Sequence, residues 1–163
     1  MAVAAPKAVA PKSSDPVHPN FTTSDSPFYW LVRVLHGHVR DMDVVLKRIG
    51  LDVPSWRVLT ILMEAEPASV SLLAEHCASK LSTMTKTIQR LELEGLVKTR
   101  TSEADARVTE VVATAKGRKL VGVARAASSR IFRQTFAGIE DPEIGRFIGT
   151  LKRMHANIHE FRD

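Results

Sequence analysis

Residues 71–113 read SLLAEHCASKLSTMTKTIQRLELEGLVKTRTSEADARVTEVVA, and a change of period inside this stretch decides the fold. Ser71 opens a short helix over residues 72–77, residues 78–81 turn, and a second helix over residues 82–94 carries Met84, Ile88 and Leu91 on one face. Gly95 supplies the left-handed residue that closes it. The period then becomes alternating: residues 96–100 and 107–113 read as two β-strands around a polar loop, residues 101–106. Two short helices joined by a tight turn and followed at once by a hairpin make a winged helix-turn-helix. The first helix braces the second, whose polar face (Thr83, Thr85, Lys86, Gln89, Arg90) is free to enter a major groove.

Long amphipathic helices are predicted on either side. Ser26-Pro27 starts one whose Phe28, Leu31, Val32, Leu35, Val39, Met42, Leu46 and Ile49 form an apolar stripe that Gly50 ends. Asp52 caps a helix through Trp56, Leu59, Leu62 and Met63, stopped at Glu66-Pro67. Thr114 caps another through Leu120, Val123, Ala127, Ile131 and Phe132, and Asp141-Pro142 begins the last, with Ile144, Phe147, Ile148, Leu151, Ile158 and Phe161 in its stripe. The expected architecture is mainly α with a small β-hairpin. Residues 1–24 are a flexible Pro/Ala-rich arm, 51–114 the winged helix-turn-helix, and 25–50 with 115–163 the flanking helices. Stripes of this length exceed what a lone winged helix covers, so they point to a homodimer interface.

At 163 residues the chain has room for one core of ordinary size or one module plus an arm. Apolar residues at 44% and charged residues at 25% fit a folded globular protein and exclude a low-complexity chain. No uncharged apolar run reaches the roughly 18 residues a membrane span needs, and the reading is cytoplasmic, with no membrane partner. The single cysteine, Cys77, excludes an intrachain disulfide. Of the net charge of +5, residues 80–119 alone hold +4, the footprint of a local polyanion contact or of a solvated basic face.

From Leu51 to Leu120 the order of features resembles the MarR family of transcriptional regulators. Leu51, Asp52 and Trp56 stand where the family's second helix opens, and Leu73-Ala74 matches the Leu-Ala pair of its helix-turn-helix. Arg90-Leu91-Glu92-Leu93-Glu94-Gly95-Leu96-Val97 fits the end of its recognition helix. Asp105-Ala106-Arg107 meets the wing's Asp-x-Arg, and Thr114-Ala115-Lys116-Gly117 the Thr-x-x-Gly of the following helix. Ser55 and Lys86 stand where glutamine and arginine are frequent. The resemblance implies a homodimer on double-stranded DNA, at a pseudo-palindromic operator, released by a small aromatic ligand. A constitutive architectural or protein-recruiting winged helix is the alternative.

Within that frame Ser82, Thr83, Thr85 and Gln89 suit hydrogen bonds to base edges or phosphates, and Lys86 supplies charge. Arg90 either contacts guanine or pairs with Glu94 at i+4. Arg107, oriented by Asp105, either enters the minor groove or closes an ion pair at the wing base, and Lys98 and Arg100 are phosphate neighbours. An effector pocket implied by the family makes His36, Arg40, Trp56 and Met63 candidates by position, with Trp56 equally suited to the core and Arg40 to a pair with Asp43. His155 and His159, four apart, fit interface or surface roles better than a metal site. Cys77 reads as a small buried hydrophobe. No Walker loop, nucleophile elbow or dinucleotide fingerprint occurs, so neither a cofactor nor enzymatic activity is expected.

Overall fold

A computed structural model describes residues 14–160, which divide into two compact units, one ending at Val53 and the other beginning at Pro54. In the first, helix α1 (Pro27–Lys47) starts with proline at its first position, where a missing N–H costs nothing. Its stripe is used unevenly. Met42 and Leu46 are fully buried, whereas Phe28, Val32 and Leu35 stay exposed. The helix ends three residues before Gly50, which takes φ +74° while the amides of Ile49 and Leu51 close on the Leu46 carbonyl at 3.0 Å.

Hydrogen-bonded turns precede α1. Thr23–Asp25 forms a 3₁₀ turn, with the Asp25 carboxylate accepting from the Thr22 amide (2.8 Å) and hydroxyl (2.7 Å). The Trp30 indole N–H donates to the Ser24 carbonyl at 2.8 Å. One carboxylate and one indole thus satisfy the Thr22 amide and the Ser24 carbonyl at the end of the stretch read as an arm, whose first thirteen residues lie outside the described residues.

In the second unit, α2 (Val53–Leu62) buries Val58, Leu59 and Leu62 completely. It stops short of Met63, earlier than expected, because the chain tightens through bonds from Met63 to Thr60 and from Glu64 to Ile61 before turning extended. A two-residue strand, β1 (Ala68–Ser69), follows; periodicity cannot register so short an element. Ser69 also caps α3 (Val70–His76), its hydroxyl accepting from the Leu72 amide at 3.1 Å, so the capping serine stands two residues before Ser71, which the sequence suggested for that place.

After a turn in which Ala78 holds φ 49°, α4 (Leu81–Leu93) seats Met84, Ile88 and Leu91 in the core. Gly95 follows at φ +69°, and β2 (Val97–Thr101) pairs antiparallel with β3 (Thr109–Ala113), Thr99 opposite Val111. The other edge of β3 takes β1, Ala68 opposite Val111, so the hairpin is a three-stranded sheet in the order β1-β3-β2.

Thr114 caps α5 (Ala115–Thr135) by accepting from the Gly117 amide at 3.1 Å. A Cβ on Gly117 would lie 2.2 Å from the Leu96 carbonyl oxygen, so only glycine lets α5 approach β2 this closely. Of the stripe expected on α5, Ile131 is buried, whereas Val121 and Ala124 take the buried places expected for Leu120 and Val123, and Phe132 is exposed. In α6 (Asp141–Glu160) Phe147, Ile148 and Ile158 are exposed, and Phe161 lies outside the described residues. No helix among the described residues is long and apolar enough to cross a membrane.

Candidate nucleic-acid interface

The two faces of α4 divide by chemistry. Met84, Thr87, Ile88 and Leu91 are buried, and Ser82, Thr83, Thr85, Lys86 and Gln89 are exposed. A 13-residue helix is about 20 Å long, enough to lie along a major groove about 12 Å wide. Thr85 already donates its hydroxyl to the Leu81 carbonyl at 3.0 Å, which leaves its lone pairs and its methyl group toward solvent. The face therefore presents hydroxyls, one amide and one ammonium, groups that pair with base edges and phosphates.

The last turn of α4 is tethered on several sides. Arg90 Nη2 donates to Ser55 Oγ on α2 at 2.9 Å, and Ser55 is only 2% exposed. This places the guanidinium against α2, a partner the i+4 rule had no means to propose. Glu92 Oε1 accepts from both the Thr99 amide (2.8 Å) and the Thr99 hydroxyl (2.7 Å) on β2, and these bonds hold its carboxyl below the usual glutamate range. Lys116 Nζ on α5 donates to the Glu94 carbonyl at 2.7 Å, occupying one of the helix's terminal acceptors. Sequence reasoning gave Glu92 and Ser55 no role beyond their places in the family pattern and passed over Thr99. The only signal was the Arg-Leu-Glu motif itself, since the partners are brought together by the Gly95 turn and by α2.

On the wing, Asp105 chelates Arg107. Its two oxygens accept from Nε at 3.0 Å and Nη2 at 2.9 Å, while the Arg107 amide bonds Asp105 Oδ1 at 2.9 Å. The pair lowers the Asp105 pKa and raises that of Arg107. Even so the Arg107 side chain is 89% exposed, so the ion pair aims the guanidinium rather than hiding it. Arg100 pairs with Glu110 directly across the strands (2.9 Å), and Lys98 is exposed on β2. Glu66 fixes the sheet to α5, accepting from the Ala113 amide at 2.6 Å and pairing with Arg118.

Between α4 and the wing lies a groove of about 640 Å³. Thr85, Gln89 and Glu92 form one wall and Thr99, Arg107 and Val108 the other. Of the predicted DNA residues, the structure thus brings Thr85, Gln89 and Arg107 around one concavity; Ser82, Thr83 and Lys86 stand exposed on the helix outside its lining.

The candidates for effector binding are distributed over both units. On α1, His36 is exposed and Arg40 donates to Asp41 at 3.0 Å instead of Asp43, which Lys47 takes at 2.7 Å. In the second unit Trp56 and Met63 are half-buried, and the Trp56 indole nitrogen is buried without a hydrogen-bond partner, as is the Thr60 hydroxyl one turn on. Cys77 is buried, which pushes its thiol pKa up and makes it a poor nucleophile. His155 is exposed on α6; the side chain of His159 lies outside the described residues.

Comparison with known proteins agrees with this arrangement. The profile of the MarR family matches residues 51–109. The HTH-type transcriptional repressor IacR of Pseudomonas putida is 38% identical over 144 residues, 88% of this chain and 86% of that protein. The crystal structure of a MarR-family regulator from Silicibacter pomeroyi superposes with a TM-score of 0.77 at 23% identity, over 84% of this chain and 92% of the other. That of CouR from Rhodococcus jostii RHA1, bound to p-coumaroyl-CoA, gives 0.75 at 26% identity, over 82% and 94%. A helix-turn-helix with a chelated wing arginine, a three-stranded sheet and flanking long helices, in a chain this similar along nearly its whole length, belongs to the MarR family of transcriptional regulators.

Proposed function

We propose that the protein is a homodimeric repressor of the cytoplasm that binds a pseudo-palindromic operator and leaves it when a small aromatic acid or its coenzyme A thioester binds. The observation that carries DNA binding is the polar face of α4 standing exposed beside an Arg107 that Asp105 aims outward. In this reading Ser82, Thr83, Thr85 and Gln89 read or position the duplex, Lys86 neutralises phosphate, and Lys98 and Arg100 flank the backbone. Arg90 serves by holding α4 to α2. Dimerisation is supported by the apolar residues exposed on α1 and on α6, Phe28 (59%) and Phe147 (47%) among them, which water would not stabilise and a second chain would cover.

Ligand release draws on similarity to CouR, which was solved with an aromatic acyl-thioester, and on the unsatisfied Trp56 indole N–H and Thr60 hydroxyl. A bound acceptor would relieve both. The ligand must favour the conformer whose recognition helices are wrongly spaced for successive major grooves, about 34 Å apart. A tenfold loss of DNA affinity needs only about 1.4 kcal/mol of such coupling.

The test is selection of duplexes from a randomised pool, followed by calorimetric titration of aromatic acids and their thioesters into free and DNA-bound protein. Selection of a palindrome and weaker ligand binding on DNA support the proposal. Ligand binding that is absent, or equally tight on DNA, favours the constitutive architectural reading instead.

A further inference from the structure

We propose that Glu92 is a positioning residue for DNA binding, a strut that fixes the gap between recognition helix and wing so that α4 and Arg107 engage one duplex together. The inference rests on the DNA-binding reading above and adds a role for an acid that this reading does not use. The starting observation is an apparent misfit. Glu92 lines the same groove as Thr85, Gln89 and Arg107, the face offered to a polyanion, where a carboxylate repels phosphate. Electrostatics alone would remove it.

Its bonds give the reason for its presence. One oxygen, Oε1, accepts from the Thr99 amide at 2.8 Å and from the Thr99 hydroxyl at 2.7 Å. Thr99 sits in the middle of β2, the outer strand of the sheet, opposite Val111. The carboxylate therefore spans from the last turn of α4 to the edge of the wing, and it satisfies a strand N–H that faces away from β3. Arg90 and Glu94, two residues to either side, are tied to α2 and α5 respectively. Of these three tethers, the one at Glu92 runs to the wing hairpin, and it closes the wall of the groove between Thr85 and Gln89 on one side and Arg107 on the other. Among the described residues, the Arg107 side chain is held by Asp105 two residues before it, within the wing loop. Its placement relative to α4 thus follows the hairpin, which Glu92 ties to the last turn of α4.

The sign of the effect separates this role from a plain charge. Removing an acid from a DNA-facing surface should tighten binding if the residue acts through its charge. The strut predicts the reverse for Glu92→Ala: about tenfold weaker binding to a duplex selected from a randomised pool by the unmodified protein. It also predicts a salt slope reduced by about 0.9, the share of one cation, although no cation has been removed. Glu92→Gln keeps an acceptor for both Thr99 groups and should recover most of the loss. Thr99→Val, which removes only the hydroxyl bond, should weaken binding about threefold and serves if Glu92→Ala fails to fold. In an Arg107→Ala background the further effect of Glu92→Ala should fall below twofold, because the contact it positions is gone.

Binding by Glu92→Ala as tight as that of the unmodified protein or tighter, or full additivity with Arg107→Ala, would overturn the proposal while leaving DNA binding intact. Should the unmodified protein select no duplex, the DNA-binding reading falls and takes this role with it.

Discussion

Helices α4 and α6 are both amphipathic, yet the chain treats their apolar faces in opposite ways. Met84, Ile88 and Leu91 of α4 are 2%, 3% and 0% exposed, whereas Phe147 and Ile148 of α6 are 47% and 46% exposed. Burial of each α4 side chain contributes roughly 1.5–3 kcal/mol to folding, a gain that α6 leaves largely uncollected within one chain. A stripe at helical spacing states that a face must be covered. It does not state by which molecule. In α4 the cover is the chain's own core, and the opposite face is freed for solvent or DNA; in α6 the apolar face itself is what remains to be covered.

This contrast can be broken at several points. The largest effect is expected from Leu91→Ala, which should cost about 2–5 kcal/mol of folding stability by urea denaturation, because a fully buried side chain leaves a cavity. Phe147→Asp should behave differently. We expect helix content to survive by circular dichroism while sedimentation at micromolar concentration shifts from dimer to monomer, a rise in dimer dissociation constant of at least about 100-fold, or roughly 2.7 kcal/mol. A variant that unfolds, or an unmodified protein that already sediments as a monomer, would erase the distinction between the two helices.

Next come the exposed cations of the DNA face. Lys86→Ala and Arg107→Ala should each weaken duplex binding by about 1 kcal/mol and lower the salt slope by about 0.9. Gln89→Ala should instead alter sequence preference with little change in that slope. A smaller gain is expected at the turn that sets the angle of α4: Ala78 holds φ 49°, so Ala78→Gly should raise stability by up to about 1 kcal/mol in the same urea assay.

The smallest effect is a pH dependence. The folded state lowers the pKa of Glu92 through its two bonds from Thr99, so this stabilisation is complete above the ordinary value of 4.5 and is lost as pH falls through the lowered one. Stability measured from pH 6 to pH 3 should therefore fall less steeply in Glu92→Gln than in the unmodified protein.

The helix-turn-helix and hairpin were legible because their signals are local. A three- or four-residue apolar period, Gly95 at a left-handed position and Thr114 capping α5 each depend on neighbours a few residues away. Gly117 was legible as part of a motif, but its reason, a Leu96 carbonyl that admits no Cβ, belongs to the meeting of α5 with β2. Boundaries shifted where a long-range partner intervened. Ser69 displaced Ser71 as the cap of α3 because β1 delivers the chain there, paired with β3 more than forty residues on. In α5, the face that touches the core turned out to be Val121 and Ala124, since the close approach at Gly117 sets the helix's rotation.

The candidate site divides the same way. The exposed polar face of α4 followed from periodicity, because burying Met84, Ile88 and Leu91 leaves Thr85, Lys86 and Gln89 no other direction. Which charges point at solvent and which are spent on the protein did not follow. Arg90 and Arg107 look alike in a sequence; one donates to a buried serine on α2, and the other is chelated by Asp105 yet 89% exposed. The six helices, the β2–β3 hairpin, their order and the polar face of α4 could be read from the chain alone, since those depend on backbone propensity and spacing within a few residues. The ties of Glu92 to Thr99, Arg90 to Ser55 and Glu66 to Ala113 came with the packing of the elements, because hydrogen bonds between elements depend on distances that no local period encodes.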